Sequence, residues 1–273
     1  MPLITDTRKF AVRIDGTTVP AKNVSGAYPK AVVQTTIPAA GPPTQQISSF
    51  RYVDLRFDVG GGMGAPIRNW VTAAFAGNSL AKNGTIIELN DVNRAVSYLD
   101  FNNAKIVELA FPRADGSSSD EGSFTVVLSV GGAAERPGDN ALITLPTVTN
   151  TLLVKNFRLT IGGLPTTRVG TIAPIPFRLT SGRMLPSDLV ITVPSIDAGP
   201  WRAWVKDFVI DGHNDQTKEK QGAIEWLSPS LSTVIAKLAI KQIGIFEWAP
   251  VANATLRTYS ASMYFEFGEF SLP

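Results

Sequence analysis

Phe10-Ala-Val-Arg-Ile14-Asp-Gly16, near the start of the chain, matches Phe157-Arg-Leu-Thr-Ile161-Gly-Gly163 in its middle. Both alternate apolar and polar side chains and end in a Gly turn, the pattern of a strand entering a tight reversal. Outward from this pair, further matches follow in one order. Asp54-Leu-Arg-Phe57-Asp-Val59 matches Asp188-Leu-Val-Ile191-Thr-Val193, and Pro66-Ile-Arg-Asn-Trp70-Val71 matches Pro200-Trp-Arg-Ala-Trp204-Val205. Gly84-Thr-Ile86 matches Gly222-Ala-Ile224. Ile106-Val-Glu108-Leu-Ala110 matches Ile245-Phe-Glu247-Trp-Ala249, and Ser123-Phe124 matches Ser262-Met263. Each match is short. Their common order, at offsets drifting only between about 134 and 147 residues, points to a tandem duplication.

The 273 residues suit two modest domains. The division expected is 1–135 for the first copy, 136–150 for a linker rich in Gly, Pro and small residues, and 151–273 for the second. Most of each copy reads as strands, including Tyr52–Val59, Phe124–Val130 and Ser262–Phe267. Val96–Phe111 reads as two short strands with Asn102-Asn103 as the turn. Its counterpart Val234–Trp248 reads as strand despite helix-like stretches. Each copy has one legible helix. In the first, Pro66 opens it, Ile67, Trp70, Val71, Ala74 and Phe75 share a face, and Gly77 stops it. In the second, Pro200 opens it, Trp201, Trp204, Val205, Phe208 and Val209 share a face, and Gly212 stops it. Such a stripe must cover apolar surface, most simply the open end or face of a β-barrel, so Trp70, Phe75, Trp204 and Phe208 are expected as core residues. The fold class is mainly β: two β-barrel or β-sandwich domains, each with one short α-helix.

Composition excludes several functions. There is no cysteine, which removes disulfides, thiolate chemistry and most structural zinc. There is one histidine, His213, leaving a Ser-His-Asp triad a single candidate base, and no Gly-x-Ser-x-Gly elbow. A hydrolase using His213 is a third reading at best. The charge is 25 basic against 23 acidic residues, or +2, with thirteen of each sign in residues 1–150, so neither half is a polycation that grips DNA. The apolar run Leu227–Trp248 is broken by Lys237 and Lys241, so no membrane span is expected, and Met1–Phe10 has no signal-peptide core. The chain reads as soluble and intracellular when made, and the sequons at Asn23, Asn83 and Asn253 as chance matches.

Other candidates for chemistry read more simply as structure. Gly60-Gly-Gly-Met-Gly64 lacks the Lys-Ser/Thr of a phosphate loop and reads as a flexible turn. Asp211-Gly-His213-Asn-Asp215, and Asp115 with Asp120 and Glu121, gather oxygen ligands but match no calcium-loop pattern. Trp70, Trp201, Trp204, Trp226 and Trp248 read as core before they read as a sugar platform. No catalytic residue, metal or cofactor is expected.

The repeated unit resembles the tube proteins of contractile phage tails and contractile injection systems. The resemblance lies in Phe10–Gly16, the lone Trp70 helix, Gly84-Thr-Ile86, Ala104-Lys-Ile-Val-Glu-Leu-Ala-Phe-Pro112 and the Asp115-Gly-Ser-Ser-Ser loop. It covers most of the first copy and, more faintly, the second. The resemblance implies six-domain rings stacked into a hollow tube. This chain departs by carrying two domains, which suits a ring of three chains with pseudo-sixfold symmetry. Tube shaft and tube-to-baseplate hub are both open. The implied partners are further copies, stacked rings, and sheath, baseplate or spike proteins. DNA or protein cargo would pass without specific binding, in a virion tail or injection particle assembled in the host cytoplasm. The polar, Pro-rich run Gln34–Phe50 has too few apolar residues for its own core. It reads either as a flexible surface loop or, by the resemblance, as an arm reaching the adjacent ring through Thr36, Ile37, Gln45, Gln46 and Ile47. The second copy has a shorter equivalent, Phe177–Pro186. The alternative function is a two-domain β-sandwich binding carbohydrate or protein through exposed tryptophan.

Overall fold

The computed structural model describes residues 9–147, 151–252 and 257–272. The Asn253 sequon, most of Met1–Phe10 and the last three residues of the expected linker lie outside them. The chain is mainly β, 55% strand against 11% helix, with a six-stranded barrel and additional sheets.

The first half runs β1 (Lys9–Ile14), β2 (Thr17–Ser25), β3 (Pro29–Thr36), β4 (Thr44–Tyr52), β5 (Leu55–Val59), α1 (Ala65–Phe75), β6 (Lys82–Leu89), β7 (Ala95–Phe111), β8 (Ala114–Asp115), β9 (Phe124–Ser129) and β10 (Gly132–Pro137). The second runs β11 (Phe157–Ile161), β12 (Thr171–Ile172), β13 (Ile175–Thr180), β14 (Arg183–Pro186), β15 (Leu189–Pro194), α2 (Ala198–Val205), β16 (Lys220–Leu227), β17 (Val234–Pro250) and β18 (Thr258–Ser271). The barrel order is β7-β6-β1-β2-β5-β9, with β9 returning to β7. The second sheet runs β11-β16-β17-β18-β15-β12-β8.

The central ladders of the two halves match, although the first half has ten strands and the second eight. Ile14 stands opposite Gly84 in β1–β6, and Ile161 stands opposite Gly222 in β11–β16. Gly84 then faces Phe101 in β7, and Gly222 faces Ile240 in β17. Both ladders slip by one residue at the same place. Between Lys82/Ala104 and Gly84/Phe101 the long strand holds one extra residue. The same occurs between Lys220/Ile243 and Gly222/Ile240. Asn103 (φ 48°) and Gln242 (φ 55°) occupy the slips in left-handed conformation. These are β-bulges. The Asn102-Asn103 turn expected from sequence is therefore corrected: β7 is one 17-residue strand, as is β17. Asparagine enters the left-handed region cheaply, which serves a bulge as well as a turn.

α1 keeps its expected start and stop, whereas the α-helical part of the second helix runs only from Ala198 to Val205. Pro66 sits in the first turn of α1. The Gly77 N–H donates to the Ala74 carbonyl and the Asn78 N–H to the Ala73 carbonyl, a Schellman ending that needs the positive φ of Gly77. Ser195–Asp197 adds a 3₁₀ turn before α2, and Lys206–Ile210 follows it as a π turn. There the Asp211 N–H reaches back to the Lys206 carbonyl. This wider turn keeps Phe208 buried but rotates Val209 to the surface, against the expected face.

By compactness the chain falls into two units: residues 1–58, 80–107 and 127–146, and residues 59–79, 108–126 and 147–273. In the first, Ala11, Ile87, Leu89, Ala95, Tyr98 and Ile143 form a buried cluster. β10 pairs along Ser97–Asn102, so strand continues into residues 136 and 137, where the linker was expected. In the second, an aromatic cluster dominates. Phe111 stacks on Trp226 at 5.4 Å and meets Phe124, Phe177 and Phe270 at 5.1–5.5 Å. Phe75, the last residue of α1, joins it through Phe177 and Phe270. α1 lies against β14 and β18, and α2 against β17.

Candidate assembly site

The residues singled out as an arm all fall on the β3–β4 hairpin. Its ladder runs from Pro29/Tyr52 through Val33/Ile47 and Gln34/Gln46 to Thr36/Thr44. The run Gln34–Phe50 is thus an ordered two-stranded ribbon. Every residue from Pro29 to Arg51 is exposed. Thr36 and Gln45 sit at the distal end, Ile37 leads into the tip, and Gln46 and Ile47 follow on β4. The exposed apolar side chains include Ile37 (78%), Ile47 (72%), Phe50 (63%) and Val33 (55%). The charges on the ribbon are Lys30 and Arg51, directly opposite each other. Among the described residues no carboxylate pairs with either. A two-stranded ribbon with no packed face is marginal alone, and an apolar row in water marks a surface built to be covered.

The corresponding hairpin of the second half is β13–β14, and it is covered. Its strand β13 pairs with the end of β7, Ile175 opposite Phe111 through Arg178 opposite Glu108. Phe177 is fully buried there, and Met184 is buried on β14. The Arg178 Nε donates to Glu108 at 2.8 Å. One hairpin therefore caps a strand edge and the other stands free.

Trp70, Trp204 and Phe208 are buried, and Phe75 is half-buried. Trp204 packs on Trp201 and Phe208. Trp226 is buried in the aromatic cluster. Trp248, half-buried, stacks on Trp201 and on Tyr259 at 5.0 Å. Four of the five tryptophans thus offer no face to a sugar.

The sites weighed for chemistry are engaged with their own neighbours. His213 Nδ1 lies 2.7 Å from Asp207, both on the surface. Hydrogen bonding to His213 holds the Asp207 carboxyl below its usual range. Lys206 Nζ binds Asp211 at 2.7 Å, and Asp215 accepts from the Thr217 N–H. Arg113 bridges Asp115 at 2.9 Å and Asp120 at 2.7 Å. Among the described residues no three acidic or histidine side chains gather as a metal site. In Gly60–Gly64, the Met63 N–H closes a turn onto the Gly60 carbonyl. An open cleft in the first unit is lined by Arg13, Asp15, Thr85, Asp100 and Phe101. Both its carboxylates are committed: Asp15 pairs with Lys82, and Asp100 takes bonds from Arg136 Nε at 2.6 Å and Thr85, the arginine bond holding it ionised at lower pH than usual. No helix among the described residues is long and apolar enough to cross a membrane.

No family model and no curated protein sequence matches the chain. Solved structures do. One is the sheath–tube complex of an extracellular contractile injection system, PVC, at TM-score 0.41 and 17% identity, covering 47% of this chain and 88% of that one. A second is the six-fold symmetrised baseplate of the anti-feeding prophage, at 0.42 and 12%, covering 50% and 97%. A third is Hcp1 from Flavobacterium johnsoniae, at 0.32 and 20%, covering 47% and 98%. The chain is similar to components of contractile injection systems. Each likeness spans about half of it.

Proposed function

We propose that the chain is a non-enzymatic structural subunit of a phage tail or contractile injection particle. Three copies form a pseudo-hexameric ring, of the tail tube or of the tube-to-baseplate hub, around a channel for DNA or protein cargo. The observation that carries the reading is the fully exposed β3–β4 ribbon. Its Val33, Ile37, Ile47 and Phe50 are too apolar for a surface left in water, and no acidic residue lies on it to keep it solvated. The doubled unit, repeated down to the same bulge, supplies two ring positions per chain, so three chains complete six. The near-neutral charge suits a wall along which a polyanion slides without being gripped. Stacked rings, sheath, baseplate and spike proteins are the proposed partners, in a particle assembled in the host cytoplasm. The repeat boundaries, 1–135 and 151–273 with a joining segment, are part of the same proposal.

Native mass spectrometry with negative-stain imaging tests it. Three chains of 29.3 kDa make a species of about 88 kDa, or rings with a central hole. Six chains per ring would keep the tube role and overturn the trimer. A chain that stays monomeric at about 100 μM would overturn the reading.

A further inference from the structure

We propose that the β3–β4 hairpin of one chain docks on the free edge of β17 in a second copy, in the register that β13 already uses on β7. The inference rests on the ring reading above, and its source is the repeat within the chain.

The two hairpins superpose through one shared hydrogen bond. The Val53 N–H donates to the Tyr28 carbonyl, and the Ser187 N–H to the Pro176 carbonyl, both at 2.9 Å. The ladders continue alike, Pro29 opposite Tyr52 and Phe177 opposite Pro186, then Lys30 opposite Arg51 and Arg178 opposite Leu185. Tyr28, Pro29 and Lys30 therefore correspond to Pro176, Phe177 and Arg178. The receiving strands correspond as well. The shared bulge places Glu108, Leu109 and Ala110 of β7 at the positions of Glu247, Trp248 and Ala249 of β17.

Inside the chain, the β13 edge occupies β7 beyond the reach of β6. The equivalent edge of β17 is open. β16 pairs with β17 only as far as Ile243, and from Gly244 to Pro250 the described residues supply a partner, β18, on one side only. Transferring the internal register sets Tyr28 opposite Ala249, Pro29 opposite Trp248 and Lys30 opposite Glu247. The ion pair transfers intact, with Lys30–Glu247 in place of Arg178–Glu108. Both Lys30 and Glu247 are exposed. The charges also explain why a partner is needed. Lys30 directly faces Arg51 across the ribbon, and like charges so placed oppose the hairpin. A carboxylate from a second copy relieves that repulsion. Pro29 brings no N–H to the ladder, which keeps this edge from pairing indiscriminately and leaves selection to Glu247 and the Trp248 ring. The contact is head-to-tail, as ring closure demands.

The absence of cysteine makes the test clean. Lys30 directs its backbone groups to its own hairpin partner, so its cross-copy pair is of the non-hydrogen-bonded kind, with Cα atoms about 4.5 Å apart. That lies within disulfide range. The double variant Lys30→Cys/Glu247→Cys, assembled and oxidised, should give a covalent trimer on a non-reducing gel that thiol reverses. Ala31→Cys/Glu247→Cys, whose first side chain points to the other face, should give none. In the parent chain, Lys30→Glu should lower the assembled fraction about tenfold or more, and Lys30→Glu/Glu247→Lys should restore it. Parent rings with neither the cross-link nor the charge-swap rescue would overturn this docking while leaving the ring. Cross-linking by both cysteine pairs would overturn the register. If the cysteine variant fails to fold by its melting curve, the charge swap decides. A parent chain that never self-associates would overturn both the ring and the docking.

Discussion

Gly84 and Gly222 show how a single atom enforces the repeat. A Cβ on Gly84 would come within 2.5 Å of the Phe101 ring and 2.7 Å of the Arg13 carbonyl oxygen, and one on Gly222 would run into the Thr160 carbonyl oxygen. Each glycine lets two strands close over it opposite an isoleucine. Gly222→Ala should cost about 1–3 kcal/mol. The urea midpoint should fall with the slope unchanged. Removing Trp226, stacked on Phe111, should cost more: Trp226→Ala is expected to lose about 3–5 kcal/mol in the same measurement. Tyr264 makes a pH-dependent contribution. Burial, and then its hydrogen bond to Glu219 at 2.8 Å, push its pKa up to about 12 from the ordinary 10.0. Folding therefore favours the protonated phenol. The stabilisation is complete below pH 10 and lost as pH rises from 10 towards 12. The melting temperature of the parent chain should fall over that window. In Tyr264→Phe the fall should be smaller, from a lower plateau. An identical fall in both would remove Tyr264 from the account.

Hairpins and helices divide by how much of each is local. Pro66, Pro200 and Gly77 mark helix ends because backbone chemistry at those positions is local, and they are legible in sequence. The π turn after α2 is not, since Val209 keeps the helical spacing of a core residue yet lies exposed. Asn103 reads as a turn because its left-handed preference is visible and the strands that hold it straight are not. Its partner Gln242 carries no such preference, so the matching bulge had no signal. The ribbon run was legible as a protrusion from its polar, Pro-rich composition. Its pairing was not, because a strand exposed on both faces shows no period-two alternation. The capping of β7 by β13 was hidden for another reason: it joins segments about 70 residues apart. Replacing residues 32–49 with Asn-Gly should therefore leave the melting temperature within a few degrees of the parent and abolish self-association in sedimentation. A large loss of stability would mean that the ribbon supports its own chain.

At the scale of the molecule, matched segments that keep one order over the whole chain made a repeat legible, and the ladders of β1–β6–β7 and β11–β16–β17 share their register down to one bulge. The compact units were not legible, since residues 59–79 and 108–126 of the first repeat cluster with the second. That clustering follows β13 onto β7 and α1 onto β14 and β18. Assembly should depend weakly on ionic strength apart from the proposed Lys30–Glu247 pair, given a net charge of +2. Sedimentation at about 0.05 M and 0.5 M salt checks this, with a small shift expected in the parent and none in Lys30→Ala. The β13–β7 pairing also has a kinetic meaning. In a six-place ring built from this chain, every second junction is formed when the chain folds, at no cost in concentration. Closure is then third order in subunit rather than sixth, so rings should nucleate at dilutions where a single-repeat version of the same protein stays dispersed.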